Sequence, residues 1–262
     1  MSAPGARVDA ASGTGLAPAV GMGRGAEIAP IDPGADPGTT PQAGPPAAIV
    51  PGRTGILGGT FDPIHLGHLA IADEAREALG MERVLFVPVG TPPHKPGRRV
   101  APAADRVAMV EAAIRGDPAF LLSRVEVDRP GPSFAVDTVA LLAAAERSAG
   151  REPDLWWILS AEAFAGIGTW RDPHRLIATC RMAVVPRACA ERPTSAWIDA
   201  CLPGAAGRVV VVDGPELGVS SSLIRDRVAA GRSVRYLVPD AVATYMAAHR
   251  LYLDAASRTR RP

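Results

Sequence analysis

The stretch Thr54–His68, with the sequence TGILGGTFDPIHLGH, decides the fold. Thr54–Gly58 predict a short apolar strand that ends in glycines, and apolar residues at helical spacing predict a helix over Leu66–Leu79. Glycines at the exit of a strand let the backbone pass close to a ligand. The start of the next helix offers unpaired amides and the positive end of the helix dipole, which favour an anion such as phosphate. The stretch therefore predicts a strand–turn–helix unit that binds phosphate.

The chain beyond residue 52 continues this alternation. Such alternation predicts an α/β fold, with a Rossmann-like, doubly wound parallel sheet in a single catalytic domain and a small C-terminal helical part. Ligands in such sheets bind beyond the carboxyl ends of the strands. Apolar runs predict further strands over Val84–Val87, Phe120–Val127, Leu155–Leu159, Met182–Val185 and Val209–Val212, and helical patterns predict helices over Ala103–Arg115 and Ser133–Ala149, with Ser133 as N-cap.

Composition bounds the class of protein. The 262 residues are 47% hydrophobic and 21% charged, which excludes disorder of the whole chain. The 28 basic and 27 acidic side chains give a net charge of +1, so we predict no nucleic-acid partner and only a local phosphate site. Lys95 is the single lysine among the basic residues. No apolar run is long enough for a membrane span, and three cysteines without CxxC spacing predict reduced thiols in a cytoplasmic protein.

The first 50 residues differ from the rest of the chain. They contain 17 Gly plus Pro, are rich in Ala, and lack Phe, Trp and Tyr. Such a segment buries too little apolar surface to offset its ordering entropy. We therefore predict a disordered tail over 1–50, one folded domain over 51–255 and a flexible C-terminus over 256–262.

His65 and His68 are the candidate phosphate donors of the opening stretch. At a spacing of three residues they share one face of the first helical turn, and Gly67 leaves the surface between them bare. A His pair at this spacing also fits an alternative interpretation, in which it forms half of a metal site. No third His, Cys or carboxylate stands at a matching spacing, so we predict that the protein itself supplies no metal site.

The string Gly58–His68, GGTFDPIHLGH, is much more specific than its parts. It resembles the GGTFDPIHxGH signature of the HxGH nucleotidyltransferase superfamily and, within it, the bacterial nicotinate-nucleotide adenylyltransferases. The resemblance covers roughly residues 53–252, so the domain over 51–255 is expected to be a nucleotidyltransferase domain. Its other landmarks are PPHK at Pro92–Lys95, GPSF at Gly131–Phe134 with Asp137-Thr138, Thr169-Trp170, and SSSLIR at Ser220–Arg225.

The resemblance implies adenylyl transfer from ATP to nicotinate mononucleotide, which gives deamido-NAD and pyrophosphate by direct in-line attack without a covalent enzyme intermediate. It implies Mg²⁺ held mainly by ATP phosphates and water. The implied catalytic residues are His65, His68, Lys95 and Arg225. The implied ATP contacts are Gly58, Gly59, Thr60, Phe61, His65, His68, Glu162, Ser220, Ser221, Ser222 and Arg225. The implied mononucleotide contacts are His94, Lys95, Ala135, Thr138, Trp170 and Arg171.

The residues alone leave other interpretations open. Ser220–Arg225 also fits a plain helix N-cap with a surface arginine, Pro92–Lys95 fits a solvated loop, and Trp170 fits ordinary packing. Asp62 fits a turn-shaping residue better than a base. The chain departs from the family at Ser160-Ala161-Glu162, where Gly-x-Asp is usual, and at Ala135 and Ser222, where Thr is common.

Rival functions also remain at this stage. They are a pantetheine-phosphate adenylyltransferase, a cytidylyltransferase, and a nucleotide-binding protein without activity. His65 and the Pro92–Lys95 loop speak against the first of these. The partners expected are two small-molecule substrates. A homo-oligomer and the choice between nicotinate and nicotinamide mononucleotide are both left open.

Overall fold

A computed structural model describes residues 47–91, 100–186, 192–215 and 217–253. This part of the chain forms a parallel sheet of six strands in the order β3-β2-β1-β4-β5-β6. The chain enters the sheet at its centre, builds outward to β3, and then crosses back to β4, which confirms the doubly wound topology. The strands are β1 (Val50–Gly59), β2 (Met81–Pro88), β3 (Phe120–Leu122), β4 (Asp154–Ser160), β5 (Arg181–Val185) and β6 (Val209–Val211).

Helices cover both faces of this sheet. Successive side chains of a strand point to opposite faces, so Trp156 and Ile158 of β4 join one core while Leu155, Trp157 and Leu159 join the other. The first core is closed by α1, α2, α7 and α8, and the second by α3, α4, α5 and α6. Their bounds are α1 (Leu66–Leu79), α2 (Ala103–Ile114), α3 (Ala135–Ser148), α4 (Ala161–Ala165), α5 (Pro173–Thr179), α6 (Ser195–Cys201), α7 (Ser221–Ala229) and α8 (Asp240–Ala248), with 3₁₀ turns at Ile167–Thr169 and Ala206–Arg208.

Two local predictions differ from the structure. The strand predicted over Phe120–Val127 stops at Leu122, because the chain then turns so that the Asp128 N–H bonds to the Arg124 carbonyl. The helix predicted from Ser133 begins at Ala135 with Phe134 as N-cap. The Ser133 hydroxyl instead accepts a hydrogen bond from the Gly90 N–H at 3.1 Å, which connects the segment after β2 to the start of α3.

The fold begins before the predicted domain boundary at residue 51. The Ala47 N–H donates to the Glu77 carbonyl at 2.9 Å, and Val50 is the first residue of β1. Residues 47–50, which the predicted tail included, therefore belong to the folded part. The rest of the predicted tail, 1–46, and the predicted C-terminus, 256–262, lie outside the described residues. Among the described helices, none is long and apolar enough to cross a membrane.

Candidate active site

The candidate site lies at the carboxyl ends of β1, β2 and β4. The strand order reverses between β1 and β4, and such switch points are where open α/β sheets bind ligands. The turn after β1, the segment after β2 and the start of α4 all leave the sheet at this edge. The topology thus brings together segments that are about 100 residues apart in the sequence.

The two histidines of the opening stretch stack on each other at the start of α1. His65 is the N-cap of this helix and is buried, and its ring centroid lies 3.7 Å from that of His68. The His65 N–H donates to His68 Nδ1 at 3.2 Å. A neutral imidazole that accepts at Nδ1 carries its proton on Nε2. His68 is therefore held in the tautomer that donates a hydrogen bond from Nε2.

Two glycines of the motif lie close against side chains of the protein. A Cβ on Gly67 would lie 3.1 Å from His65 Nδ1, and a Cβ on Gly58 would lie 2.7 Å from the Trp157 ring. The distance at Gly58 is shorter than real Cβ contacts. Gly58 therefore makes room for Trp157, whereas from the sequence we explained this glycine by the close approach of a ligand.

The start of α1 offers fewer unpaired amides than the sequence predicts. The Leu66 N–H donates to the Leu237 carbonyl at 3.0 Å, and the His68 N–H donates to the His65 carbonyl at 2.9 Å. Leu237 lies between α7 and α8, so the C-terminal part of the chain occupies one of the amides that an anion was expected to use. We therefore expect an anion at this helix end to depend more on the side chains of the histidine pair.

The start of α7 is attached to the same turn. Ser220 caps the helix by accepting from the Leu223 N–H at 3.2 Å, and the Ser221 hydroxyl donates to the Pro63 carbonyl at 2.9 Å. The hydroxyls of Ser220 and Ser221 thus have partners inside the protein. Their role here is to hold α7 against the opening motif, which supports the N-cap interpretation alongside the predicted phosphate cradle.

Arg225 reaches from α7 to the turn after β1. Its Nη1 donates to the Asp62 carbonyl at 2.7 Å, and its Nη2 donates to the Ser222 hydroxyl at 3.0 Å. These bonds use two of the five N–H donors of a guanidinium. The structure thus brings Arg225 to the histidine-bearing turn, as expected of a group that neutralises phosphate charge there.

Asp62 is a buried support for this turn. Its Oδ1 accepts from the Ala101 N–H at 3.1 Å and from the Tyr252 hydroxyl at 2.8 Å, and its Oδ2 lies 3.7 Å from Arg225 Nη1. Burial, together with the negative charge of Asp62, raises the pKa of Tyr252, so the hydroxyl stays protonated and donates. This geometry agrees with the turn-shaping role predicted for Asp62.

Residues predicted to contact the mononucleotide meet beside the start of α3. The guanidinium of Arg171 lies 4.7 Å above the ring of Phe134, which precedes Ala135. Trp170 packs edge-on against Trp157 with ring centroids 6.1 Å apart. Ala135, Trp170 and Arg171 are thus placed in one region, although α3 and the turn at Ile167–Thr169 are separated by β4 in the sequence.

Thr138 lies inside the protein in this structure. Its side chain is fully buried, and its hydroxyl donates to Glu126 Oε1 at 2.6 Å. It therefore supports the start of α3 from within, and its contact with the mononucleotide stays a prediction. Burial raises the pKa of Glu126, while hydrogen bonds from Thr138 and Ser133 and the charge of Arg129 act in the opposite direction.

Of the other predicted residues, Gly59 ends β1, Thr60 lies in the turn after it, and the Phe61 ring is buried. Glu162 is exposed in the first turn of α4, and Ser160, the other departure from the family pattern, caps that helix by accepting from the Ala163 N–H at 3.3 Å. His94 and Lys95 lie outside the described residues.

Sequence reasoning missed three polar residues that support this site: Arg106, Glu126 and Tyr252. Arg106 and Glu126 are almost fully buried, and the Tyr252 hydroxyl bonds to Asp62. A charged residue within an apolar helical pattern, as at Arg106 between Ala103 and Val107, is a weak signal of a buried polar role. Within the described segments, no cluster of three or more His, Cys, Asp or Glu side chains could hold a metal ion.

Comparison with known proteins defines the class first. A sequence profile of the cytidylyltransferase-like family matches residues 56–227, which is more than half of the chain. The chain belongs to this cytidylyltransferase-like family.

Relatives narrow the assignment. A Roseiflexus sp. (strain RS-1) protein described as a probable nicotinate-nucleotide adenylyltransferase is 46% identical over 200 residues, which covers 76% of this chain and 96% of the relative. A protein of Symbiobacterium thermophilum with the same description is 44% identical over 209 residues, which covers 78% and 97% of the two chains. Within its class, the chain is thus a member of the nicotinate-nucleotide adenylyltransferase family, as the resemblance implied.

A solved structure supports the fold. The Plasmodium falciparum nicotinic acid mononucleotide adenylyltransferase complexed with NaAD superimposes with a TM-score of 0.60 at 16% sequence identity, covering 76% of this chain and 97% of that chain. At this identity the similarity concerns the fold alone, and it confirms the Rossmann-like α/β architecture.

Proposed function

We propose that this protein transfers the adenylyl group of ATP to nicotinate mononucleotide, which yields deamido-NAD and pyrophosphate. The observation that carries the proposal is the stacked His65–His68 pair at the start of α1 with Arg225 attached to the same turn. Close relatives described as nicotinate-nucleotide adenylyltransferases support the choice of acceptor.

The reaction needs alignment and charge neutralisation more than a protein nucleophile. The phosphate of the mononucleotide is already anionic near neutral pH and attacks the α-phosphorus of ATP in line, so no covalent enzyme intermediate forms. Groups that are fixed in place before the reaction stabilise developing charge most effectively. His68, held as the Nε2–H tautomer, donates to the α-phosphate, and Arg225 offsets charge on the bridging and leaving oxygens.

Lys95 adds a second cation from the Pro92–Lys95 loop, which follows the end of β2 in the sequence. His94 joins it in contacting the mononucleotide. Glu162 approaches the ATP ribose from the first turn of α4.

The nicotinate end of the acceptor binds beside α3. Trp170 stacks on the pyridine ring of the nicotinate. The carboxylate of the nicotinate accepts hydrogen bonds from the backbone amides of Ala135 and Arg171. The contact between Arg171 and the Phe134 ring supports this arrangement, because it holds these two amides in one region. A site built from backbone donors and a cation favours a carboxylate over a neutral amide.

Mg²⁺ is expected with ATP, yet the described residues do not fit as its direct ligands. The carboxylate of Asp62, the acidic group nearest the histidine pair in sequence, already accepts from Ala101 and Tyr252. The ion would therefore be held by phosphate oxygens and water. No step of the proposed mechanism runs through it.

The test is pyrophosphate release from ATP with one acceptor at a time. Nicotinate mononucleotide should give turnover. Phosphopantetheine with ATP should give none, and neither should choline phosphate with CTP in place of ATP. Nicotinamide mononucleotide measures the preference for acid over amide. Pyrophosphate release with phosphopantetheine would assign the protein a different activity. If none of the acceptors supports release, the protein is a nucleotide-binding protein without this activity.

A further inference from the structure

Arg106 is a buried cation that the proposed mechanism does not use. It lies in α2, its side chain is only 2% exposed, and it is the largest of the fully buried side chains in the described chain. A buried charge is costly unless its donors are satisfied. Burial lowers the pKa of Arg106, which the negative charge of Asp62 opposes, and a guanidinium remains charged in proteins under ordinary conditions.

The guanidinium of Arg106 joins three separate segments. Its Nη1 donates to the Thr60 carbonyl at 2.8 Å, its Nη2 to the Gly90 carbonyl at 3.2 Å, and its Nε to the Ala101 carbonyl at 3.0 Å. These carbonyls belong to the turn after β1, the segment after β2 and the approach to α2. The guanidinium reaches these carbonyls from three different nitrogens held in one plane, whereas the three donors of a lysine ammonium share a single nitrogen, so lysine would not reproduce all three bonds.

The Thr60 carbonyl is the one that leads to a catalytic group. The next residue, Phe61, has a φ of 48°, in the left-handed region that residues other than glycine rarely adopt. Its ring is buried and lies edge-on to His68, with ring centroids 5.0 Å apart. Fixing the peptide before Phe61 therefore fixes the position of the Phe61 ring, against which the His68 imidazole packs.

We propose that Arg106 is a positioning residue, which sets the orientation of the His68 imidazole through the Phe61 ring. It rests on the proposed function for its effect on catalysis, but the orientation of the ring can be measured without any substrate. In this role Arg106 acts on the ring that stacks with His65 and accepts the His65 N–H. Its charge never touches the phosphates.

The first experiment reads the His68 ring directly by ¹⁵N NMR of the full chain. In the wild type we expect Nδ1 at the shift of an acceptor and Nε2 at that of a protonated nitrogen. Arg106→Lys should move the two resonances toward each other, because a looser ring exchanges between tautomers. Phe61→Leu, which removes the ring downstream of Arg106, should reproduce the change.

The matched control is Arg53→Lys. Arg53 is partly buried and, like Arg106, donates to a carbonyl, that of Leu79 at 2.7 Å, but it lies at the opposite end of β1 beside Asp154. It should leave the His68 resonances in place. Unchanged His68 resonances in folded Arg106→Lys would overturn the proposal, and so would an Arg106→Lys chain that does not fold, since that outcome assigns the side chain to folding.

The second experiment is a double-mutant cycle on turnover. Arg106→Lys should lower kcat by about 10- to 100-fold, the loss expected for a misplaced catalytic group, with little change in the KM of either substrate. In a His68→Ala background the same change should cost less than about 2-fold, because the two residues act in series. Equal losses in both backgrounds would overturn the proposal. Absence of turnover in the wild type would instead contradict the proposed function and leave the NMR result standing.

Discussion

His68 depends on its neighbours for the form in which it can act. Its Nδ1 accepts the His65 N–H, its ring stacks on His65, and the Phe61 ring stands edge-on beside it. A Cβ on Gly67 would lie 3.1 Å from His65 Nδ1, so a side chain there would press on the His65 ring. The HxGH pattern is thus a set of mutual constraints, in which each residue type follows from the position of another.

His68→Ala should lower kcat by at least about 100-fold, since it removes a fixed donor to developing charge. The fold should survive, because His68 is only partly buried. Steady-state kinetics and thermal unfolding measure both effects. His249→Ala removes a half-exposed histidine at the end of α8 and should change kcat by less than about 2-fold. Near wild-type turnover in His68→Ala would contradict the assignment.

Lys95→Ala should weaken the alignment of both substrates and lower kcat/KM by about 10- to 100-fold, since the proposed mechanism uses this cation to offset phosphate charge. The matched control is Arg98→Ala, which removes a cation three residues further along the same segment. Initial rates over a range of ATP and mononucleotide concentrations give kcat/KM for each variant and each substrate. If both variants lose activity equally, then only the overall charge of the segment matters and the special role of Lys95 is wrong.

The start of α3 is supported by buried polar residues behind it. Thr138 donates to Glu126, and the Gly90 N–H donates to Ser133, so the helix start, the segment after β2 and the turn after β3 are held together. Gly90 has no room for a side chain, because a Cβ would lie 2.3 Å from the Glu126 carbonyl. The predicted N-cap at Ser133 failed for this reason: its hydroxyl bonds across to another element, and Phe134 takes the cap position.

Glu126→Gln should change how stability depends on pH. Burial raises the pKa of Glu126 in the folded state, so its contribution to stability is present below its unfolded pKa and is lost as pH rises through the folded pKa. The wild type should therefore lose stability relative to Glu126→Gln as pH rises above about 4.5. Urea unfolding at several pH values measures the difference. The exposed Glu152→Gln should show no such trend, and a parallel pH profile for Glu126→Gln would contradict the prediction.

Distant parts of the chain converge on the turn after β1. Tyr252, at the C-terminal end of the described chain, donates to Asp62, and Leu237 accepts the first amide of α1. Arg225 and Ser221 reach the same turn from α7. The C-terminal helical part thus completes the site, which explains why the fold extends beyond the sixth strand.

Tyr252→Phe should lower the free energy of unfolding by about 1–3 kcal/mol, since it removes a hydrogen bond to a buried carboxylate while keeping the ring. Denaturant unfolding gives the value. Tyr236→Phe removes the hydroxyl of a tyrosine that is 76% exposed and should be neutral within about 0.5 kcal/mol. Equal stability of the two variants would show that the Tyr252–Asp62 bond contributes nothing.

Much of the fold followed from patterns that are local along the chain. Leu66–Leu79 was predicted with the bounds of α1, because its apolar residues recur at helical spacing within one short stretch. The strand–helix alternation predicted the doubly wound sheet, and the string Gly58–His68 predicted the family. Such patterns can be recognised in the sequence alone, because helical and strand periodicities involve residues that are near neighbours along the chain.

The packed fold was needed for everything that joins distant residues. No spacing along the chain predicts that Arg106 donates to Thr60, Gly90 and Ala101, or that Tyr252 fixes Asp62. The need for Gly58 also comes from Trp157 on the neighbouring strand. These contacts arise because parallel strands bring their carboxyl ends to one edge, where polar groups removed from water must find partners from other segments. Sequence therefore predicts candidate residues for the reaction, and tertiary structure decides which residues hold those candidates in place.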